Sequence, residues 1–295
     1  MNHSQPHDIH HTLQTAQLQL VEAGLLDSPK LDAELLLSHA LQTSRTYLYT
    51  WPEKILSSEQ LSKFTNLLKQ RLEGRPIAHI IGEREFWGLN LKVTEDTLIP
   101  RPDTETIVEG VLKLIAENSK DPAWSILDLG TGSGAIALAI KSELPHCSIT
   151  AVDYSAKALA VAQQNALTHQ LNITFLQSDW LSAFDCQQTF DCIVSNPPYI
   201  EADDPHLLQG DVRFEPITAL SSGQDGLDDI RTIAQQAWLH LSNQGWLLIE
   251  HGYNQAQSVS AILTEHQFSN VALLTDLAGN PRVSIGQKIE ITNNN

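Results

Sequence analysis

The order of helices and short strands in the C-terminal part of the chain constrains its fold more than any other feature. From Thr104 onward, apolar segments of strand length alternate with segments whose apolar residues recur at helical spacing. Strands separated by a helix pair in parallel, whereas the last two strands have a short connection with glycine and proline and must pair antiparallel. The predicted elements are helices at 104–117, 133–143, 155–168, 226–242 and 254–266, and seven strands at 125–129, 148–152, 172–176, 190–195, 245–251, 268–275 and 282–290.

The N-terminal region has a purely helical pattern. Between residues 12 and 73, apolar side chains recur at helical spacing, for example at Leu61, Phe64 and Leu68. We therefore predict a bundle of four or five helices over residues 1–76. Its apolar faces are by default its own core, although a small bundle ahead of a larger domain can also dock a partner.

A third pattern joins these two parts of the chain. From Ile77 the sequence becomes strand-like, with a turn near Trp87-Gly88. This pattern predicts a β-hairpin linker over residues 77–98. The α/β domain then occupies residues 99–295.

The charge balance restricts the partners of the chain. Its 18 Lys and Arg residues are outnumbered by 35 Asp and Glu residues, for a net charge of −17. Proteins that hold nucleic acid through phosphate contacts usually carry a basic patch, so we expect no direct nucleic-acid binding. Solubility alone also explains an acidic surface.

Cysteine usage and hydropathy favour a cytoplasmic protein. Cys147, Cys186 and Cys192 form no Cys-x-x-Cys pair, which argues against a disulfide framework or a zinc site, and we expect no metal. No apolar run approaches the ~20 residues of a membrane span, and the N-terminus does not resemble a signal peptide, so we expect no membrane partner. No feature requires more than a monomer.

A glycine-rich loop follows the first strand of the predicted sheet. Gly130, Gly132 and Gly134 come directly after the apolar strand, and a helix follows them. Glycines let the backbone turn tightly and approach a ligand where a side chain would collide. Asp153 ends the next strand, 23 residues after Gly130, and its carboxylate suits ribose hydroxyls. This pattern fits NAD and other nucleosides equally well.

Two further features distinguish NAD from other nucleoside ligands. Asp128 lies two residues before the glycines, where a carboxylate would repel a pyrophosphate but suits a cationic ligand with an ammonium and a sulfonium. Asp179-Trp180 follows the next strand, and this pair suits an adenine, with a polar group for its amine and an aromatic face for stacking. A tryptophan at a strand end is also often a core residue.

The sequence Asn196-Pro197-Pro198-Tyr199 follows the strand at 190–195. Consecutive prolines offer carbonyl acceptors but no N–H donors, and the asparagine oxygen adds a further acceptor. The tyrosine ring can form one wall. This segment can therefore grip an –NH2 group by its two hydrogens, although a proline turn that merely ends a strand has the same composition.

The ordered set of motifs resembles class I S-adenosylmethionine-dependent methyltransferases that modify amide or amine nitrogens. Within that class the chain resembles the release factor glutamine methyltransferase family (PrmC/HemK), from about Gln14 to Glu290. Further segments that carry this resemblance are 74–82, 86–89, 99–105, 250–252 and 276–282.

The resemblance implies a class I (Rossmann-like) α/β fold, S-adenosylmethionine as cofactor, and class I peptide-chain release factors as partners. The methyl acceptor would be the side-chain nitrogen N5 of the glutamine in their Gly-Gly-Gln loop, with an effect on translation termination. The cofactor-binding residues would be Gly130, Thr131, Gly132, Ser133, Gly134, Asp153, Trp180 and Asn196. The substrate-binding residues would be Asn196, Pro197, Pro198 and Tyr199, of which Asn196, Pro197 and Tyr199 would be catalytic.

Some residues near these motifs have two readings. Arg101, Asp103 and Glu105 either border the pocket or form an ion-paired structural loop, and the role of Glu250 is equally open.

The sequence also leaves three other functions open. A nucleic-acid amino methyltransferase uses the same grip on a flipped base. A nicotinamide dehydrogenase leaves the Asn-Pro-Pro-Tyr segment unexplained, and a binding module would retain the cofactor site without turnover.

Overall fold

The computed structural model describes residues 7–118 and 123–290, and the chain divides into two compact units. The helical unit comprises Met1–Glu83 together with Gly210–Phe214, and the sheet unit comprises Arg84–Gln209 and Glu215–Asn295. The sequence pattern did not predict that the helical unit includes a segment from the C-terminal part of the chain.

The helical unit contains five helices within the described residues; four of them lie in the segment 1–76 predicted to be helical, and the fifth lies at 77–81, where a hairpin was predicted. Ser57 and Gln60 form a reciprocal capping box at the start of the longest of them. Buried Ile9, Leu36 and Phe64 contribute to a single apolar core. The helices are α1 (Ile9–Glu22), α2 (Pro29–Leu41), α3 (Arg45–Thr50), α4 (Ser58–Leu72) and α5 (Ile77–Ile81).

An ion-pair network explains why Gly210–Phe214 belongs to the helical unit. The buried guanidinium of Arg71 donates to Asp32 Oδ2 at 2.7 Å and to Asp211 Oδ1 at 2.7 Å. Arg213 donates to the carbonyl oxygen of Glu73 at 3.2 Å. The ion pair of Arg71 with Asp211 and the bond of Arg213 to Glu73 therefore tie this distant segment to the helical unit.

The predicted hairpin over 77–98 is shorter in the structure. Its first five residues form α5, and the hairpin consists of β1 (Glu83–Phe86) and β2 (Leu89–Lys92). Isoleucines there favour a strand, but Pro76 precedes the helix and Gly82 ends it in a left-handed conformation with φ 84°. These local stop signals, together with burial of Ala78, outweigh the β propensity.

The sheet unit contains the predicted seven-stranded sheet within the described residues, in the order β5-β4-β3-β6-β7-β9-β8. Neighbouring strands are parallel except for two antiparallel pairs, β8–β9, as expected, and β7–β9. The strands are β3 (Ser125–Leu129), β4 (Ser148–Asp153), β5 (Thr174–Gln177), β6 (Phe190–Ser195), β7 (Leu241–Glu250), β8 (Ser269–Thr275) and β9 (Pro281–Gln287).

Helices cover both faces of this sheet, which explains why its central strands are almost continuously apolar. Ile126 and Val194 face one core, and Leu127 and Ile193 face the other. The helices of the sheet unit are α6 (Glu105–Asn118), α7 (Ala135–Glu143), α8 (Ala156–His169), α9 (Asp228–His240) and α10 (Ala256–Glu265).

The strand order places the site. The chain proceeds from β3 outward through β4 and β5, then returns to β6 on the other side of β3. Ligands of open α/β sheets bind at such a reversal, beyond the carboxyl ends of the strands. Leu129 is in register with Ser195, so the glycine loop and Asn196 emerge side by side.

Across residues 7–118 and 123–290, none of the helices has the length and apolarity to span a bilayer.

Candidate functional site

A cavity of about 430 Å³ opens at the carboxyl ends of the central strands, within the sheet unit. Seven residues predicted from the sequence line it: Gly130, Gly132, Asp153, Asp179, Trp180, Asn196 and Pro198. The other predicted residues, Thr131, Ser133, Gly134, Pro197 and Tyr199, lie next to these in the chain but do not line it.

The glycine loop approaches the cavity through Gly130 and Gly132, both with positive φ. A Cβ on Gly130 would lie 3.3 Å from the indole ring of Trp180, so glycine allows the two to pack closely. Gly134 has another environment: a Cβ there would lie 3.0 Å from Leu138 and 3.2 Å from Ala162. Its geometry therefore serves the close packing of α7 against α8.

The two polar residues of the loop, Thr131 and Ser133, do not line the cavity. The Thr131 hydroxyl donates to Asp128 Oδ2 at 2.6 Å, and the Ser133 carbonyl accepts from Asn165 Nδ2 at 2.8 Å. Both side chains are buried. The Thr131 side chain ties the loop to Asp128, and the Ser133 backbone ties it to Asn165.

Asp128, which accepts the hydrogen bond from Thr131, is a fully buried carboxylate. Its Oδ1 has no hydrogen-bond partner within the described residues, and burial raises its pKa to about 7. The hydroxyl of Thr131 and the amide of Ala137 offset part of this rise. Asp128 does not line the cavity. It is connected to the glycine loop by the hydrogen bond from Thr131.

Asp153 joins two segments of the site. Its Oδ2 accepts from the amide of Gly132 at 2.8 Å, and its Oδ1 accepts from the amide of Ser155 at 2.8 Å. Burial nevertheless raises its pKa. Each oxygen keeps acceptor capacity toward the cavity, so Asp153 can accept hydrogen bonds from a pair of vicinal hydroxyls.

Trp180 is held in a defined orientation. Its backbone is left-handed at φ 47°, and its indole Nε1 donates to Asp229 Oδ1 at 3.1 Å. The Asp229 amide donates to the Ser222 hydroxyl at 2.8 Å. Sequence analysis missed Asp229, because an acidic residue in the first turn of α9 has an ordinary explanation in the helix dipole.

The charge of the cavity wall favours a cationic ligand. Among the described residues that line the cavity, five side chains are acidic and none is a lysine or arginine; the acidic residues are Glu95, Asp96, Asp153, Asp179 and Asp229. A sulfonium and an ammonium fit this wall, whereas a pyrophosphate would be repelled. These observations argue against a nicotinamide dinucleotide. No cluster of His, Cys, Asp and Glu suited to a metal ion occurs in the described part of the chain.

Asn196 lines the cavity and has a buried side-chain oxygen without a hydrogen-bond partner in the described part of the chain. Its Nδ2 donates to Thr104 Oγ1 at 3.1 Å, while its buried Oδ1 has no hydrogen-bond partner among the described residues. A buried, unpartnered oxygen costs free energy unless a ligand satisfies it. Pro197 and Pro198 add no donor of their own. The arrangement is therefore suited to a ligand that donates N–H groups.

Tyr199 and Glu250 lie behind this segment. The Tyr199 hydroxyl is 3.5 Å from Glu250 Oε1, and the Tyr199 amide donates to the carbonyl of Leu220 at 3.1 Å. Burial raises the pKa of the Tyr199 hydroxyl. Burial also raises the pKa of Glu250 to about 7, and its Oε2 has no hydrogen-bond partner within the described ranges.

Another part of the wall comes from segments that sequence analysis did not assign to the site. Pro216, Thr218 and Ala219 line the cavity. Buried Glu215 holds this segment, since its Oε2 accepts from the Ile99 amide at 2.8 Å and its Oε1 pairs with Arg101. Of the two roles considered for Arg101, a border of the pocket or part of an ion-paired loop, the structure shows the ion pair. No local motif marks this loop as part of a site.

Comparison with known proteins identifies the two parts of the chain. Residues 11–82 match the model of the PrmC N-terminal domain, and residues 108–209 match that of the methyltransferase small domain.

Relatives over nearly the full length carry the name release factor glutamine methyltransferase. The protein from Aliivibrio fischeri is 51% identical over 88% of this chain and 91% of its own length. The protein from Pseudomonas aeruginosa is 48% identical over 91% of this chain and 96% of its own length. The protein from Escherichia coli is 47% identical over 88% of this chain and 93% of its own length.

Solved structures show the same fold at low identity. A methyltransferase from Pyrococcus furiosus aligns with 77% of this chain and 100% of its own, at 18% identity and a TM-score of 0.52. The hMettl16 catalytic domain, in complex with an RNA hairpin of the MAT2A 3′UTR, aligns with 77% and 83%, at 16% identity and a TM-score of 0.54.

Proposed function

The chain belongs to the release factor glutamine methyltransferase family and is an S-adenosylmethionine-dependent methyltransferase, and we propose that it methylates class I peptide-chain release factors. The acceptor is the side-chain nitrogen N5 of the glutamine in their Gly-Gly-Gln loop. The observation that carries the proposal is the buried, unpartnered Asn196 Oδ1 at the cavity, followed by two prolines without N–H donors.

The cofactor fits the residues of the cavity. We propose that Asp153 binds the ribose hydroxyls, that Trp180 flanks the adenine, and that the backbone of Gly130 and Gly132 lies along the methionine part. The acidic wall matches the positive charge of the sulfonium and the ammonium. S-Adenosylmethionine supplies a methyl group on a positively charged sulfur, and S-adenosylhomocysteine is the second product.

The acceptor amide is activated by position. Its nitrogen is a poor nucleophile, because its lone pair is delocalised into the carbonyl. Asn196 Oδ1 and the Pro197 carbonyl each accept one N–H, which holds the nitrogen with one face toward the methyl group. These bonds strengthen as the nitrogen gains positive charge, so they stabilise the transition state more than the ground state. The methylated nitrogen then loses a proton to water.

We propose that the helical unit docks the release factor and that the protein acts as a monomer in the cytoplasm, where translation termination takes place. Its matched N-terminal domain model and its separate apolar core support a unit with its own task. The net charge of −17 supports a protein rather than a nucleic-acid acceptor.

Transfer of labelled methyl groups tests this function. The protein is incubated with labelled S-adenosylmethionine and one of three acceptors: unmethylated release factor, its Gly-Gly-Gln variant with glutamine replaced by asparagine, or nucleic acid. We expect label on the native release factor alone. Label on nucleic acid would favour the rival methyltransferase, and label on none of them would contradict the proposed activity.

Removing the Asp153 carboxylate should weaken cofactor binding. In Asp153→Ala we expect the dissociation constant of S-adenosylhomocysteine to rise by about 10- to 100-fold, because charge-assisted bonds to the ribose are lost. Titration calorimetry measures it, with Asp185→Ala as a control at an exposed carboxylate outside the cavity. An unchanged constant in Asp153→Ala would contradict the ribose role.

A further inference from the structure

The side-chain amide of Gln255 holds the end of the segment Asn196–Tyr199, which we call the acceptor segment. Gln255 is partly buried and directly precedes α10. Its Nε2 donates to the carbonyl oxygen of Tyr199 at 2.9 Å and to that of Asp225 at 3.4 Å. Its Oε1 accepts from the amide of Gly252 at 2.9 Å. One side chain therefore joins three separate backbone segments of the sheet unit.

The backbone partners of Gln255 allow only one orientation of its amide. A backbone N–H can only donate and a backbone carbonyl can only accept, so the oxygen must meet Gly252 and the nitrogen must meet the two carbonyls. A rotation of the amide by 180° would oppose like groups at all three contacts. Gln255 therefore forms a directional clamp on the Tyr199 carbonyl.

The backbone of Tyr199 is held on both sides. Its amide donates to the carbonyl of Leu220 at 3.1 Å, and its carbonyl accepts from Gln255. Space around this carbonyl is tight, because a Cβ on Gly226 would collide with the Tyr199 oxygen and would lie 2.8 Å from Gln255 Nε2. The end of the acceptor segment therefore has one defined position.

The two prolines pass this position on to the rest of the acceptor segment. Each proline ring fixes φ, and the residue before a proline is kept extended, so the backbone from Asn196 to Pro198 is stiff. Neither proline has an N–H that could tie its own peptide group to a neighbour. Besides packing, the segment is thus held at its ends, by the bond from Asn196 Nδ2 to Thr104 Oγ1 at 3.1 Å and by Gln255.

We propose that Gln255 is a positioning residue that sets the place of the Pro197 carbonyl through the Tyr199 carbonyl and the stiff proline backbone. The inference rests on the proposed function, in which the Pro197 carbonyl accepts one N–H of the acceptor amide. Gln255 does not line the cavity, and it acts only through the acceptor segment. A displaced carbonyl would no longer hold the acceptor nitrogen in line with the methyl group, and transfer rates fall steeply with such displacement.

Gln255→Glu tests this role with little change of shape. The variant keeps an acceptor for the Gly252 amide but places a carboxylate oxygen against the Tyr199 carbonyl. At about pH 8 we expect the single-turnover rate of methyl transfer to fall by about 10- to 100-fold. The dissociation constant of S-adenosylhomocysteine should stay within about twofold, because the cofactor residues are untouched.

Gln257→Glu is the matched control for the added charge. Gln257 is exposed on α10, two residues after Gln255. This variant should keep a rate within about twofold of wild type, because an exposed charge at this distance is well screened. Equal losses of rate in the two variants would assign the effect to charge alone and would overturn the inference.

The pH dependence distinguishes a lost donor from general damage to the fold. A protonated carboxyl group has an O–H that can donate to the Tyr199 carbonyl, as the amide does. The ratio of the Gln255→Glu rate to the wild-type rate should therefore rise as the pH is lowered from about 8 to about 5, as the protonated fraction grows. A ratio that is constant over this range would overturn the inference.

Gln255→Met removes the donor without adding a charge and has nearly the same length. We expect its rate to fall by about 3- to 10-fold, as for loss of one neutral hydrogen bond, with the pH dependence of wild type. A wild-type rate in both Gln255 variants would contradict the positioning role, as would a parallel loss of cofactor affinity. The wild-type rate on release factor tests the proposed function, whereas the ratio of variant to wild-type rates tests Gln255.

Discussion

Replacing Asn196 by alanine is expected to lower the rate of methyl transfer by a factor on the order of 10²–10³, as for loss of one preorganised polar group at a site of developing charge. The variant loses the buried, unpartnered Oδ1 of a residue that lines the cavity, the atom proposed to accept an N–H of the acceptor amide. Single-turnover transfer from labelled S-adenosylmethionine to saturating release factor measures this rate without contributions from product release.

The cofactor affinity of Asn196→Ala shows whether the loss of methyl-transfer rate concerns the acceptor or the cofactor. We expect the dissociation constant of S-adenosylhomocysteine to change by less than about threefold, a free-energy change well below that of one charged hydrogen bond. Asn196→Gln is a matched control that keeps the amide but displaces it, and it should be nearly as slow. Unchanged turnover in Asn196→Ala would contradict the amide grip, and a parallel loss of cofactor affinity would assign Asn196 to the cofactor instead.

Replacing Asp128 by asparagine is expected to stabilise the protein without ligand at pH 8, by up to about 4 kcal/mol. Burial raises the pKa of this carboxyl from 3.8 to about 7 in the folded state. Between these values the native state binds more protons than the unfolded state, so the contribution of Asp128 to stability falls as the pH rises. Asparagine keeps an acceptor for Thr131 and removes the buried charge.

The pH dependence gives the sign of this effect. The difference in the free energy of unfolding between Asp128→Asn and wild type should grow from about pH 4 to pH 7 and then level off, since the carboxyl is fully ionised above its folded pKa. Denaturant unfolding at several pH values measures it, with Asp185→Asn as a control at an exposed carboxylate. A difference that is constant with pH would contradict the raised pKa of Asp128.

The same variant tests the interpretation of Asp128 as a partner of the cationic ligand. Asp128 does not line the cavity and reaches the loop through Thr131. Its negative charge can still act at short range through a protein interior of low dielectric constant. We therefore expect weaker cofactor binding together with higher stability, which is the trade-off found where a buried charge serves a ligand.

The sequence alone determined the fold class and the location of the motifs. The alternation of apolar strands and helices predicted the sheet, and β3 and β6 have the predicted ends at Leu129 and Ser195. Both features depend on periodicity within short windows, which the sequence displays directly. The glycine loop and Asn196–Tyr199 were equally visible, because each is a contiguous segment at a strand end.

Local patterns were less informative where two propensities competed. The segment Ile77–Ile81 has β-branched residues typical of a strand, yet it forms a helix between Pro76 and Gly82. Within the glycine loop, the sequence did not distinguish Gly130, which faces the cavity, from Gly134, which packs against Ala162. Both positions need glycine, for different neighbours.

Only the tertiary structure decided which distant residues support the site. Asp229 orients Trp180 across 49 positions in the chain, and Thr104 contacts Asn196 across 92. Glu250 reaches the same place only because β7 lies beside β6 in the sheet. Such partners have no local signature, since a hydrogen bond between remote segments depends on strand order and register, and these emerge only when the whole sheet is packed.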